Sequence, residues 1–345
     1  MKDERLISGC VAPLLDWYRR NRRPLPWREQ PTPYHVWISE IMLQQTRIEA
    51  VLGYYSRFLE ALPDIPALAA VDEDSLLKLW EGLGYYSRAR NLKKAAGVLM
   101  AQYGGSLPRT VTELKTLPGI GDYTAGAIAS IAYHQPEPAV DGNVLRVVMR
   151  LLACPDDVME PKTRKAVTAL LRACYPSGED AGLLTEGLME LGETVCVPNG
   201  EPACLLCPLR ELCRASQSGS ALDYPVRSRP KERRRETRTV LLLRCGTDYA
   251  IRRRPETGLL AGLWEFPNRE GLLDAEGIEQ ALGVKLLSCV PCGEGKHVFS
   301  HVEWHMTGWL AECTEKPEGF TWADAATIRA RYSIPTAFRY FQKKL

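Results

Sequence analysis

Leu117-Pro118-Gly119-Ile120-Gly121-Asp122-Tyr123 opens a stretch that runs on to Asp141-Gly142-Asn143, and its reading decides the fold of the N-terminal part of the chain. Pro118 stops one helix, and the two glycines permit backbone conformations that a side chain forbids. Beyond this turn the pattern predicts a helix from Tyr123 to about His134. Such a turn leaves the Gly119 and Gly121 amides bare at the N-terminus of that helix, where hydrogen bonding and the helix dipole both favour a phosphate. A Gly-x-Gly alone serves equally well as an ordinary helical turn, so the rest of the chain has to decide.

Around this stretch, from Ile7 to about Ala215, apolar residues recur at three- and four-residue spacing with frequent Pro and Gly breaks, which is a helical pattern. A polar, basic segment over residues 216–238 follows, with Pro225, Pro230 and seven Arg or Lys between Arg227 and Arg238, and it reads as an interdomain linker. The texture then changes to short β-like runs at Thr239–Leu243, Tyr249–Ile251 and His297–Leu310, with helical stretches near Asp274–Leu282 and Pro335–Lys344. The expected organisation is an all-α domain over residues 1–215, a linker over 216–238 and a mixed α/β domain over 239–345.

The 345 residues are 45% hydrophobic and 25% charged, the balance of a globular protein of two domains or more. No apolar run reaches the roughly 18 residues of a membrane span, and no signal-peptide core follows the N-terminus, so a cytoplasmic protein is expected. A net charge of +2 does not announce a nucleic-acid binder. Its basic runs, Arg19–Arg23, Lys231–Arg235 and Arg252–Arg254, read first as solvated faces or linker.

Eleven cysteines in a reducing compartment do not suggest disulfides. Cys196, Cys204, Cys207 and Cys213, separated by seven, two and five residues, form a cluster that points to a metal. Four thiolates suit tetrahedral zinc or a four-iron cubane, and spacing alone does not choose between them. Cys289 and Cys292 lack two further ligands and read as structural.

Two other stretches carry chemistry. In Trp37–Thr46, Glu40 stands among strong apolar residues, one turn from Gln44 on the same helix face. A carboxyl group held against apolar surface has its pKa raised, as a general acid near neutral pH requires. Trp80–Leu92 combines flexible glycines, the adjacent Tyr85 and Tyr86, and two arginines, a composition suited to insertion beside bases with phosphates nearby.

With the glycine hairpin, the downstream Asp141 and the four-cysteine loop in this order, residues 14–215 resemble the helix-hairpin-helix DNA glycosylase superfamily that carries a [4Fe-4S] cluster. Trp37–Thr46, Gly82–Arg88 and Val140–Asn143 look like the MutY-type adenine DNA glycosylases rather than their relative endonuclease III. Where the endonuclease III branch carries the lysine that forms a Schiff base, this chain has Tyr123, and no lysine lies between Lys115 and Lys162. A tyrosine offers no amine nucleophile. Phe299-Ser300-His301 matches the loop with which adenine glycosylases recognise 8-oxoguanine, and Gly258–Pro267 looks like part of a Nudix-type fold without its glutamate-rich catalytic helix. The first cysteine spacing is seven where six is commoner in the family.

The resemblance implies a fold of a helical glycosylase domain followed by a Nudix-like α/β domain. It implies a nucleoid-associated monomer that acts on double-stranded DNA containing an adenine:8-oxoguanine mispair and removes the adenine without cutting the strand. Glu40 would protonate adenine N7. Asp141, ionised and with Asn143 beside it, would face the developing oxocarbenium ion or act as a transient nucleophile, and Tyr123 would orient the pair. Trp27, Arg28, Leu43 and Glu186 would line the adenine pocket, Gln45 and Tyr85 would fill or wedge the duplex, and Gly119 and Gly121 would hold the DNA backbone. Cys196, Cys204, Cys207 and Cys213 would hold the cluster. Two rivals stand beside this reading: a bifunctional glycosylase-lyase acting on oxidised pyrimidines, and an iron-sulfur DNA-binding module without chemistry.

Overall fold

The computed structural model describes residues 2–228, 232–283 and 285–345. By its internal contacts the chain forms two compact units, Met1–Ala70 with Asn91–Arg229, and Val71–Arg90 with Pro230–Leu345. None of the described helices is long and apolar enough to cross a membrane.

The first unit is helical. Its site-bearing elements are the helices Lys2–Asn21, Pro26–Glu29, Pro33–Leu43, Asp122–Ala127, Gly142–Leu152 and Glu179–Thr194. Pro33 opens its helix where a missing N–H costs nothing, and Thr32 caps it by accepting from the His35 amide at 3.2 Å. The expected helix after the glycine turn is present over Asp122–Ala127 and continues as a π-helical turn, Ile128–Ala132. The core between Lys2–Asn21, Gly142–Leu152 and Glu179–Thr194 buries Leu14, Val144, Val148, Leu188 and Leu191, each contributing about 1.5–3 kcal/mol. Gly192 lets the last of these helices lie against the Asp141–Asn143 corner, since a Cβ there would fall 2.6 Å from Asn143 Cβ.

The second unit is built on a seven-stranded sheet. Its strands are β1 Arg234–Cys245, β2 Asp248–Arg253, β3 Trp264–Glu265, β4 Asn268–Glu270, β5 Leu286–Val298, β6 Val302–Cys313 and β7 Thr321–Asp324. The main order is β3-β2-β1-β6-β5, with β4 on β1 and β7 on β2. β1 and β6 run parallel from Arg234↔Val302 to Arg244↔Glu312, and the buried middle of β1, Val240 to Leu243, follows from cover on both faces. Val240, Leu242, Phe266, Trp304, Phe338 and Phe341 form the core. The expected helix near Asp274 is Ala275–Leu282, with Asp274 as its cap. Ala325–Arg331 is a further helix that the sequence pattern does not announce.

Three expectations change. Residues 71–90 group with the sheet unit rather than with residues 1–215. Ser333 Oγ donates to the Leu77 carbonyl at 2.8 Å, the Ile334 amide donates to Glu81 at 3.0 Å, and Arg90 Nη1 donates to the Ala261 carbonyl at 2.6 Å. Most of the expected linker is packed structure. The Tyr224 carbonyl accepts from Arg150 Nε at 2.9 Å and the Val226 carbonyl from the Val158 amide at 3.0 Å, while β1 already begins at Arg234. Pro230 and Lys231 lie outside the described residues. The run His297–Leu310 is two strands, because the chain reverses at Phe299-Ser300-His301, between β5 and β6.

Candidate active site

Glu40 projects from Pro33–Leu43 and is only 6% exposed. Burial pushes its pKa up to about 7; the Tyr123 hydroxyl, which donates to Glu40 Oε2, opposes this, and the charges of Asp141 and Glu186 add to it. Burial and the neighbouring Glu40 raise the Tyr123 phenol well above its ordinary range, so it remains a donor. Gln44 turns elsewhere, its amide nitrogen 3.3 Å from Thr124 Oγ1.

Asp141 caps the helix Gly142–Leu152. Its Oδ1 accepts from the Val144 amide at 2.7 Å and its Oδ2 from the Asn143 side chain at 2.9 Å. Burial raises its pKa above the ordinary aspartate value, and these two donors oppose the rise by stabilising the anion. Arg146 Nη2 donates to Asn143 Oδ1 at 2.8 Å and holds the amide in that orientation.

Both carboxyl groups and Tyr123 open into one cavity of about 670 Å³, which Trp27, Arg28, Leu43, Gln45, Asn143 and Glu186 also line. That volume lies within the range of small-molecule binding sites. Arg28 reaches Glu190 at 2.8 Å and approaches Glu186 at 3.6 Å. Arg23 also pairs with Glu190, at 2.5 Å, so this arginine of the first basic run is held by a carboxylate that lines the cavity. Burial would raise Glu190, but the hydrogen bonds from Arg23 and the Arg28 charge outweigh it and hold Glu190 below the usual range.

Tyr85 is not in this cavity. It lies in the sheet unit, in a groove of about 500 Å³ that Phe299, Ser300 and His301 also line. Gln45 and Tyr85 share a rarer property, left-handed backbone at φ 57° and 48°. Non-glycine residues adopt that region at a cost, and it recurs at functional positions.

The glycine turn is formed as expected, with one refinement. Gly119 has φ +80°, and a Cβ there would lie 2.7 Å from Asn91 Cβ. Gly121 has an ordinary extended backbone at φ −98° and caps the next helix without a side chain, leaving that helix start uncovered. In the sheet unit, Phe299 is set edge-on between His297 at 4.5 Å and Trp304 at 4.9 Å, while Ser300 and His301 are exposed at the hairpin tip. Glu265, the one glutamate near a Nudix-like position, is fully buried. It pairs with Arg252 at 2.9 Å, with Arg254, and with the Asn268 amide at 2.7 Å. Arg252 and Arg254, read in sequence as a solvated run, are used up in this contact.

Cys196, Cys204, Cys207 and Cys213 line one pocket beside Leu191 and Leu209. Among the described residues no group of three or more His, Cys, Asp or Glu side chains is placed to hold a single metal ion. Four thiols that share one apolar pocket are a donor set for a thiolate-bound metal centre. Arg150 Nη1 donates to Cys196 Sγ at 3.2 Å, and Arg146 Nε to the Cys196 carbonyl at 2.7 Å. The sequence reading missed both arginines. Two buried cations four residues apart in an otherwise apolar helix are the signal that would have found them.

Residues 38–176 match the HhH-GPD superfamily base excision DNA repair protein family, and residues 239–344 match the NUDIX domain. The human adenine DNA glycosylase is 32% identical over 415 residues, covering 99% of this chain and 75% of the relative. The chain belongs to the adenine DNA glycosylase family. The mouse adenine DNA glycosylase is 33% identical, covering 97% of this chain and 78% of the relative. A solved non-covalent endonuclease III–DNA complex is similar at 28% identity with a TM-score of 0.53, over 63% of this chain and 97% of that one. As a member of the adenine DNA glycosylase family the chain is an enzyme, with a helical glycosylase fold followed by a Nudix-like sheet domain.

Proposed function

We propose that this enzyme binds duplex DNA and, in base-excision repair, removes adenine standing opposite 8-oxoguanine or guanine by hydrolysing the N-glycosidic bond. The observation that carries the reading is the pairing in one cavity of a carboxyl group raised to about 7, Glu40, with a carboxylate held by two donors, Asp141. Cleaving the bond to a stacked base requires extruding the nucleotide. Glu40 protonates N7 of the extruded adenine, so that a poor leaving group departs neutral. Asp141 faces the cation that develops at the sugar, the division of labour common to glycoside hydrolysis. No lysine lines the cavity among the described residues, which supports a monofunctional enzyme.

Mispair selection is assigned to Ser300 and His301, the exposed polar residues of the hairpin tip, with Tyr85 in the same groove. We further assign a [4Fe-4S] cluster to Cys196, Cys204, Cys207 and Cys213, with Arg150 donating to the first of them. When bound, the cluster holds the loop in shape and adds local charge, and no catalytic step passes through it. A monomer acting on the nucleoid in the cytoplasm is part of the same proposal.

The deciding experiment is a single-turnover glycosylase assay on adenine:8-oxoguanine, adenine:guanine and adenine:thymine duplexes. Adenine release that is fastest opposite 8-oxoguanine is expected. Absence of release with retained DNA binding would leave a binding module, and borohydride-trapped protein–DNA adducts would indicate a lyase.

A further inference from the structure

Tyr18 belongs to none of the motifs above, yet it is bonded to Glu186, which lines the cavity. It is fully buried on the helix Lys2–Asn21, and its hydroxyl donates to Glu186 Oε2 at 2.8 Å. Gly187 lets backbone approach the ring, since a Cβ there would lie 3.2 Å from Tyr18 Cβ and 3.4 Å from Cγ. The Arg28 and Arg22 guanidinium groups stand 5.5 Å and 5.8 Å from the ring centroid, within cation–π range. Burial and the Glu186 charge push the phenol well above its ordinary range, so it stays a donor wherever the enzyme works.

The consequence falls on Glu186. Its Oε2 is engaged by the phenol, while Oε1 stands 3.6 Å from Arg28 Nε, too far for a hydrogen bond. Lone pairs are therefore left for the cavity. The charged and titratable groups around Glu186 are Tyr18 and Arg22 from the first helix and its end, Arg28 from Pro26–Glu29, Glu190 from its own helix, and Glu40. Burial raises Glu186, and Arg28, Tyr18 and Arg22 oppose the rise. Without the phenol the carboxyl group loses a fixed donor, turns freely and takes up a proton more readily. A fixed acceptor oxygen pairs with an N–H donor, and the 6-amino group of adenine is such a donor.

We propose that Tyr18 is a positioning residue for base selection, holding Glu186 as a fixed acceptor for the exocyclic amine of the extruded base. This rests on the reading of the cavity as an adenine pocket. The test measures single-turnover release by the full-length enzyme from two duplexes that differ only in the target base, adenine or unsubstituted purine, each opposite 8-oxoguanine. Failure of the wild-type enzyme to release adenine overturns the parent reading and this proposal with it. With wild-type release in hand, Tyr18→Phe is expected to slow adenine about tenfold and to leave purine unchanged. In a Glu186→Ala background the same substitution is expected to leave the adenine-to-purine ratio where it was, because the two residues act as one unit. A ratio measured within one preparation is independent of how much protein is folded. An unchanged ratio in Tyr18→Phe, or an equal fall on both bases, overturns the proposal.

Discussion

The Tyr123 hydroxyl donates to Glu40 Oε2, so the phenol is bonded to the carboxyl group that we propose as the general acid. That contact fixes the direction from which a proton can be delivered. Glu40→Gln keeps the shape and loses the proton, and should slow single-turnover adenine release on the order of 10²-fold or more. Asp141→Asn should cost as much while leaving the helix cap largely in place. Near-normal release by either variant would remove that residue from the mechanism.

The two carboxyl groups predict a bell-shaped rate profile. The rate should climb on the acid side as Asp141 ionises, above the ordinary aspartate range, and decline as pH rises through about 7, where Glu40 loses its proton. Rates that keep climbing to pH 9 would contradict Glu40 as acid.

Stability should carry the same signature. The folded Glu40 holds its proton more tightly than the unfolded chain does, with a value of about 7 against 4.5. Its contribution is therefore full below about 4.5 and is lost as pH rises through 7, a change of ~3 kcal/mol. Relative to wild type, Glu40→Gln should gain stability between pH 5 and pH 8, read as the shift in urea midpoint. An equal difference at both pH values would place the Glu40 pKa in the ordinary range.

At the hairpin tip, Ser300→Ala with His301→Ala should reduce the preference for adenine opposite 8-oxoguanine over adenine opposite guanine, with little effect on the adenine:guanine rate itself. Unchanged discrimination would move recognition away from this loop.

Gly119→Ala forces a Cβ into Asn91 at a left-handed position, which costs about 1–2 kcal/mol. DNA affinity should fall several-fold, with a shallower dependence on salt if the turn grips a phosphate. The same affinity and the same slope would leave the turn purely structural. Separately, Cys207→Ser should abolish bound iron and acid-labile sulfide; retention of both would remove Cys207 from the ligand set.

What was legible in the sequence was local. The glycine turn, the Asp141 cap and the cysteine run each fit within a few residues, where sterics and spacing speak directly. Tyr18 and Glu186 meet across 168 residues, and Arg23 and Glu190 across 167, so no window of sequence shows them. Residues 71–90 join the sheet unit through single contacts such as Ser333 to Leu77, 256 residues apart. The reversal at Phe299-Ser300-His301 contains no Gly, Pro or Asn, so the family resemblance marks it as a loop where the β-like pattern of residues 297–310 does not.

The parallel pairing of β1 with β6 also sets an order of events in time. Each β1 residue waits for a neighbour 68 residues further along, and contacts of such separation are slow to form. During synthesis, the edge of Val240 to Leu243 that pairs with β6 stays open until residue 313 has emerged. A chain stopped short of β6 should therefore aggregate rather than yield a functioning helical unit with a loose tail.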